Sequence, residues 1–171
     1  MDVYETLREI LDAHPTGAPR SPVFEKILRM LFTPGEAELL THMNFSPKPV
    51  EAIAAAAGVP VEEADRMLGA LADRVLVLSR EKGGKRSYGL LAAIPGLFEF
   101  PFMRGETTPE LATLGKLWED YHRDGLGARS DDHAGVVRER CEEVGGLVEH
   151  LLEPAVGRGE ELPHLTGRRP V

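Results

Sequence analysis

The composition of the chain changes abruptly near Gly125, and this change limits where a core can form. Every Ile, Phe, Tyr, Trp, Met and Lys lies within residues 1–124, whereas residues 125–171 carry eight of the 18 glycines. A segment without isoleucine or aromatic side chains buries little apolar surface, so the entropy of the chain outweighs its packing. We therefore expect the core within residues 1–124 and a low-complexity, partly disordered tail over residues 125–171.

The charge and the apolar pattern exclude several classes of protein. The net charge of −8 argues against a surface that coats nucleic acid, because counterion release needs many Lys and Arg side chains facing phosphate. No uncharged apolar run reaches the length of about 18 residues that a transmembrane helix needs, so we expect no membrane partner. The first residues are acidic and amphipathic, unlike a secretory signal, which leads us to expect a cytoplasmic protein.

Apolar residues recur at helical spacing through the first part of the chain. Thr33-Pro34 followed by Glu36 predicts a capped helix start, and Gly58 predicts a tight turn between two helices. A β-branched run and a returning run around a loop at residues 81–85 predict a β-hairpin with strands over 75–79 and 86–91. The helices are expected over residues 2–13, 23–31, 34–43, 49–57 and 61–74, and a last helix, capped by residues 107–110, is expected to end near residue 122.

This order of elements predicts the fold class, which is mainly α with a small β-hairpin (α+β). Helix, glycine turn, helix and hairpin is the order of a winged helix-turn-helix. The alternative is a helical bundle that ends in a hairpin. The expected units are N-terminal helices over 1–33, the winged helix-turn-helix over 34–91, an aromatic arm with a helix over 92–124, and the tail over 125–171.

Basic residues around the hairpin are the candidate contacts for nucleic acid or another anion. Glu62, Glu63 and Asp65 place acid at the start of the second helix of the motif, where it would repel phosphate. Protein contact is therefore favoured over DNA, and charges that only keep the hairpin soluble are the other alternative. The candidate anion contacts are Arg66, Arg80, Lys82, Lys85 and Arg86.

Residues 94–103, IPGLFEFPFM, form the most aromatic segment of the chain. Phe98, Phe100 and Phe102, together with Trp118 in the last helix, are candidates for docking a partner. The alternative is packing against the helices. Because large aromatic area is seldom left in water, we expect at least two of the three phenylalanines to be buried.

No set of residues points to catalysis or to a metal. The six histidines have no metal-ligand spacing, and the single cysteine, Cys141, has no neighbouring base. A phosphate-binding glycine loop after a strand and a nucleophile motif are also missing from the sequence. We therefore expect a protein that is not an enzyme and that holds no metal.

The region from about Pro22 to His122 resembles the N-terminal part of bacterial and archaeal ferredoxin-type 4Fe-4S proteins. The similar stretches are LFTPGEAELLTHM, PKPVEAIAAAAGV, SREKGGKRSYGLL, IPGLFEFPFM and LWEDYHRDG. The resemblance implies a winged helix that precedes a cysteine-rich cluster-binding region. Those cysteine motifs are absent after Gly125, so no cluster ligand can be assigned and no cofactor is expected in this chain. A truncated or frameshifted end is our hypothesis for the change of composition.

Two functions follow as expectations. The first is a non-enzymatic winged-helix interaction module, related to the front of a 4Fe-4S electron-transfer protein, with a protein partner or a second copy in a homodimer. The alternative is a winged-helix transcriptional regulator that binds DNA and dimerises through Leu111, Leu114, Trp118 and the first helix.

Overall fold

A computed structural model of the protein describes residues 2–103 and 108–124, so the predicted tail lies outside the described residues. Within the described part, the predicted α+β class is confirmed, because helices dominate and a small antiparallel sheet accompanies them. Among these residues, no helix combines the length and the apolar character needed to cross a membrane. The elements are α1 Val3–Asp12, α2 Pro22–Leu31, α3 Pro34–Thr41, β1 Lys48–Pro49, α4 Val50–Ala57, α5 Val61–Asp73, β2 Val77–Lys82, β3 Lys85–Leu90, a 3-10 turn Phe100–Phe102 and α6 Pro109–Asp124.

The first three helices begin at side chains that cap their free backbone N–H groups. Asp2, Ser21 and Thr33 each accept a hydrogen bond from the first turn of α1, α2 and α3. Helix α1 packs on α3, and α2 packs on α6. A single apolar cluster runs through all of them, from Tyr4 in α1 to Tyr121 in α6.

The hairpin is longer than predicted, and its turn is shorter. The strands β2 and β3 pair antiparallel from Val77–Leu90 to Lys82–Lys85, so the turn is Gly83-Gly84 and not residues 81–85. Both glycines have positive φ values, 60° and 71°, as a two-residue type I′ turn requires. The third strand, β1, pairs with β3 and was not predicted from the sequence.

Strand β2 begins two residues later than predicted because the end of α5 uses the intervening residues. The N–H of Leu76 donates to the carbonyl of Leu71 at 2.9 Å, and the N–H of Val75 donates to that of Ala72 at 2.9 Å. This pair of hydrogen bonds is the Schellman motif, which needs a left-handed residue after the helix. Val75 occupies that position with φ 59°, although a β-branched residue is strained there.

The aromatic segment packs into the core instead of forming a strand. Phe98 meets Trp118 with ring centroids 5.2 Å apart, and Phe24 of α2 stacks on Tyr121 at 4.7 Å. The Tyr121 hydroxyl donates to the carbonyl of Pro19 at 2.9 Å, which fixes the end of α6 against the start of α2. We call Phe24, Phe98, Trp118 and Tyr121 the aromatic cluster.

Burial corrects the docking prediction for three of the four candidate residues. Phe98, Phe102 and Trp118 are buried, so their apolar surface is used inside the chain, and the expectation of at least two buried phenylalanines is confirmed. Phe100 is half-buried. Leu114 is buried as well, so the dimer face expected for a regulator lies largely within the core of the same chain.

Glu36 connects the start of α3 to the end of α5. Its carboxylate accepts hydrogen bonds from the Thr33 backbone at 2.8 Å and from the Arg74 guanidinium, which also donates to the Leu31 carbonyl at 3.3 Å. Partial burial alone would raise the pKa of Glu36, but the hydrogen bonds from Thr33 and Arg74 outweigh it and lower the pKa. The charged form of Glu36 therefore stabilises the fold.

Replacing Glu36 with alanine is expected to lower the free energy of unfolding by about 1–2 kcal/mol at neutral pH, because it removes a capping box and an ion pair. A lowered pKa in the folded state contributes stability above the ordinary value of 4.5, and this contribution is lost as the pH falls through the folded value. Urea unfolding at neutral pH and at about pH 3 measures both effects. A difference between the two proteins that stays constant with pH would contradict this role for the carboxylate.

Candidate anion-binding hairpin

The register of the hairpin divides its side chains between two faces. Residues paired across an antiparallel ladder share a face, and successive residues alternate. One face carries Tyr88 and Arg86 opposite Ser79 and Glu81, and we call it the inner face because α5 lies against it. The other, the outer face, carries Leu78, Arg80, Lys82, Lys85 and Ser87.

On the inner face, Asp65 of α5 engages two hairpin side chains. The Tyr88 hydroxyl donates to one Asp65 oxygen at 3.1 Å, and the Arg86 guanidinium donates to the other at 3.4 Å. Glu81 lies 3.9 Å from the same guanidinium. Burial, reinforced by the Asp65 carboxylate, raises the pKa of Tyr88. Arg86 therefore holds the hairpin against α5, and its charge is already compensated.

On the outer face, three cations stand without compensation. Arg80, Lys82 and Lys85 are exposed, and no carboxylate within the described residues pairs with them. Lys82 and Lys85 are direct partners across the ladder, and Arg80 lies two residues further along the same face. This concentration of positive charge on an otherwise acidic protein can attract an anionic group.

Arg66 does not join this group. It is an exposed residue of α5, and α5 lies against the inner face. The five predicted anion contacts are therefore divided by the structure. Arg80, Lys82 and Lys85 come together, Arg86 is engaged by Asp65, and Arg66 lies on a different element. The sequence carried a signal for one part of this division, because the period-two alternation of Leu78, Arg80 and Lys82 places these three side chains on one face.

The exposed side of α5 is acidic at the end that would approach a nucleic acid first. Glu62 and Glu63 are exposed in its first turn. At its other end, Arg74 is paired with Glu36. A phosphate backbone near the start of α5 would therefore meet negative charge.

Backbone packing covers the part of the outer face nearest the core. An ideal Cβ on Gly89 would lie 3.2 Å from the Phe45 carbonyl oxygen and 3.3 Å from the Pro47 nitrogen, so the chain crosses the sheet closely there. Leu78, the cross-strand partner of Gly89, remains 43% exposed. The free part of the outer face therefore extends from Leu78 to the Gly83-Gly84 turn.

Across residues 2–103 and 108–124, no group of three or more His, Cys, Asp or Glu side chains is arranged to hold a metal ion. No protein-family model matches the chain, and no curated protein matches its sequence. The resemblance to the front of ferredoxin-type proteins accordingly stays a prediction.

Proposed function

We propose that this chain is a non-enzymatic winged-helix interaction module that binds an acidic protein partner through the outer face of its hairpin. In this proposal, it is related to the N-terminal part of ferredoxin-type 4Fe-4S electron-transfer proteins. The observation that carries the proposal is a set of three exposed cations on one face of the hairpin, Arg80, Lys82 and Lys85, none of which pairs with a carboxylate of residues 2–103 or 108–124.

The element order supports the winged-helix assignment. Helices α3, α4 and α5 are followed directly by the hairpin, and Gly58 forms the turn between α4 and α5 with φ 68°. Strand β1, just before α4, pairs with β3 and joins the hairpin to the helices. In this arrangement α5 takes the place of a recognition helix, and the β2–β3 hairpin takes the place of the wing.

Charge favours a protein partner over DNA. A recognition helix in the major groove brings its N-terminal residues to the bases, and here these include the exposed carboxylates of Glu62 and Glu63. The cations lie on the side of the hairpin facing away from α5, so helix and wing do not form one positive surface. An acidic protein needs contact with the hairpin alone, and its carboxylates can pair with Lys and Arg without approaching α5.

Replacing Arg80, Lys82 and Lys85 together with alanine is expected to change the free energy of unfolding by less than about 0.5 kcal/mol, because all three are exposed and none forms an ion pair within the described part of the chain. The same variant should bind a labelled oligoglutamate peptide about tenfold more weakly or worse, since three charge contacts are lost. Fluorescence anisotropy at several salt concentrations measures the binding.

Arg66→Ala is the matched control. It removes an exposed arginine on a different element, and this arginine has no ion-pair partner among the described residues, so peptide binding should be unchanged. If the triple variant and the wild type bound the peptide with equal affinity, the outer face would not be part of the interface. The DNA-binding regulator would be favoured instead if the protein bound a duplex DNA more tightly than the peptide at physiological salt and if Arg66→Ala weakened that DNA binding.

A further inference from the structure

The hairpin has an unpaired edge that the proposed function does not use. The strand order is β1-β3-β2, which leaves β2 with a neighbour on one side within the described residues. Leu78 to Lys82 are all exposed, so this edge is open to solvent over most of the strand. An exposed strand edge presents free backbone N–H and C=O groups on which another strand can pair.

The turn determines which backbone groups are free. A two-residue type I′ turn makes Lys82–Lys85 a hydrogen-bonded pair, and such pairs alternate along an antiparallel ladder. The backbone N–H and C=O groups of Arg80 and Leu78 therefore point toward β3, whereas the backbone N–H and C=O groups of Ser79 and Glu81 point away from it. The same alternation predicts that the backbone groups of Leu90 in β3 point away from β2. They do, because the Leu90 N–H donates to the Asn44 carbonyl at 2.9 Å. Apart from the β2–β3 ladder itself, no backbone hydrogen bond joins Ser79 or Glu81 to the rest of the described part of the chain.

The side chains beside this edge favour an acidic strand. An added strand would continue the outer face, so alternate side chains would lie next to Leu78, Arg80 and Lys82. Like charges on neighbouring strands destabilise pairing, so lysines on an edge strand commonly prevent unselective pairing. A partner strand with acidic side chains beside these cations is attracted instead of repelled, and it can therefore pair.

We propose that the partner binds as an extended acidic peptide that adds an antiparallel strand to the free edge of β2. This inference rests on the proposed function, because the same outer-face cations attract the peptide. Backbone hydrogen bonds to Ser79 and Glu81 supply the alignment. The expected sequence in the partner has two acidic residues separated by one residue, facing Lys82 and then Arg80, followed two positions later by an apolar residue beside Leu78.

The test uses the full chain and a peptide in which two glutamates alternate with threonines and are followed by a valine at the next alternate position. Ser79→Pro removes one outward N–H and is compatible with an edge strand, because that N–H does not serve β3. We expect this variant to bind the peptide about tenfold more weakly or worse. Ser79→Ala keeps the N–H and should bind like the wild type.

Hydrogen exchange provides a second measurement that needs no variant. In the wild type, the peptide should slow amide exchange at Ser79 and Glu81, and a peptide with its glutamates adjacent should bind more weakly. NMR signals of α5 and Tyr88 check that Ser79→Pro keeps the hairpin in place. If that variant fails to fold, the exchange measurement decides alone.

The outcomes separate the two proposals. In one outcome, the wild type binds the peptide, the triple outer-face variant does not, Ser79→Pro binds normally, and amide exchange at Ser79 and Glu81 is not slowed. Strand addition is then wrong, and the proposed function stands. If the wild type does not bind any acidic peptide, both are wrong. Self-association of the wild type that Ser79→Pro abolishes in sedimentation would show a second copy on this edge and overturn the acidic peptide as its occupant.

Discussion

The Trp118→Ala variant is expected to lower the free energy of unfolding by about 3–5 kcal/mol, because the indole is buried and its removal leaves a cavity that the neighbouring rings cannot fill. Trp118 contacts Phe98 at a centroid distance of 5.2 Å and Phe24 at 5.8 Å, so one substitution loosens the aromatic segment, α2 and α6 together. A loss of this size approaches the whole stability of a small domain. Denaturant unfolding followed by circular dichroism measures it.

Trp118→Phe is the control for this experiment. The indole N–H is buried and has no hydrogen-bond partner among the residues that the structure describes, so the replacement removes an unsatisfied donor as well as part of the ring. We expect Trp118→Phe to lower the free energy of unfolding by less than about 1.5 kcal/mol. A similar loss in both variants would contradict the account of Trp118 as a space-filling centre of the cluster.

Gly96→Ala is expected to destabilise the protein by about 3–4 kcal/mol, through both backbone strain and overlap. Gly96 has φ 146°, a conformation that side-chain-bearing residues rarely adopt. A Cβ at this position would lie 2.6 Å from the Ala92 carbonyl oxygen, which is a backbone atom that can move only with its segment. The aromatic segment turns at this point, so the strain should also displace Phe98.

Gly58→Ala separates the two contributions. Gly58 also has a positive φ, 68°, but an added Cβ would meet nothing within 4 Å. We therefore expect a cost of about 1 kcal/mol from backbone conformation alone. Thermal unfolding of the two variants gives the comparison, and equal losses would show that overlap at Gly96 contributes little.

Local sequence signals predicted much of the fold. The change of period after α5 and the glycine-containing loop predicted at residues 81–85 were sufficient to predict an antiparallel hairpin, because both are short-range features. Strand β1 was missed because it has two residues, one of them Pro49, and exists through pairing with β3. The start of β2 was misplaced because the valine at Val75 adopts a left-handed conformation that its residue type disfavours.

The candidate site was predicted in composition but not in arrangement. Charge counting identified the basic hairpin, and alternation alone would have separated Arg80 and Lys82 from Glu81. The engagement of Arg86 depends on Asp65, which belongs to another element, so only the tertiary structure reveals it. Likewise, the large apolar surface of the phenylalanines was sufficient to predict that they are buried. The contact of Trp118 with Phe24 of α2 could be seen only once the helices were packed together.

The outer face of the hairpin is the surface on which the proposed function depends, and an NMR footprint of the isotope-labelled full chain tests it most directly. Titration with the labelled oligoglutamate peptide should shift the signals of Leu78, Arg80, Lys82 and Lys85, and leave those of Arg66 unchanged. The shifts should weaken as salt is raised, because exposed charges are screened. Shifts centred on the start of α5, or a footprint that duplex DNA produces there and the peptide does not, would contradict the proposal.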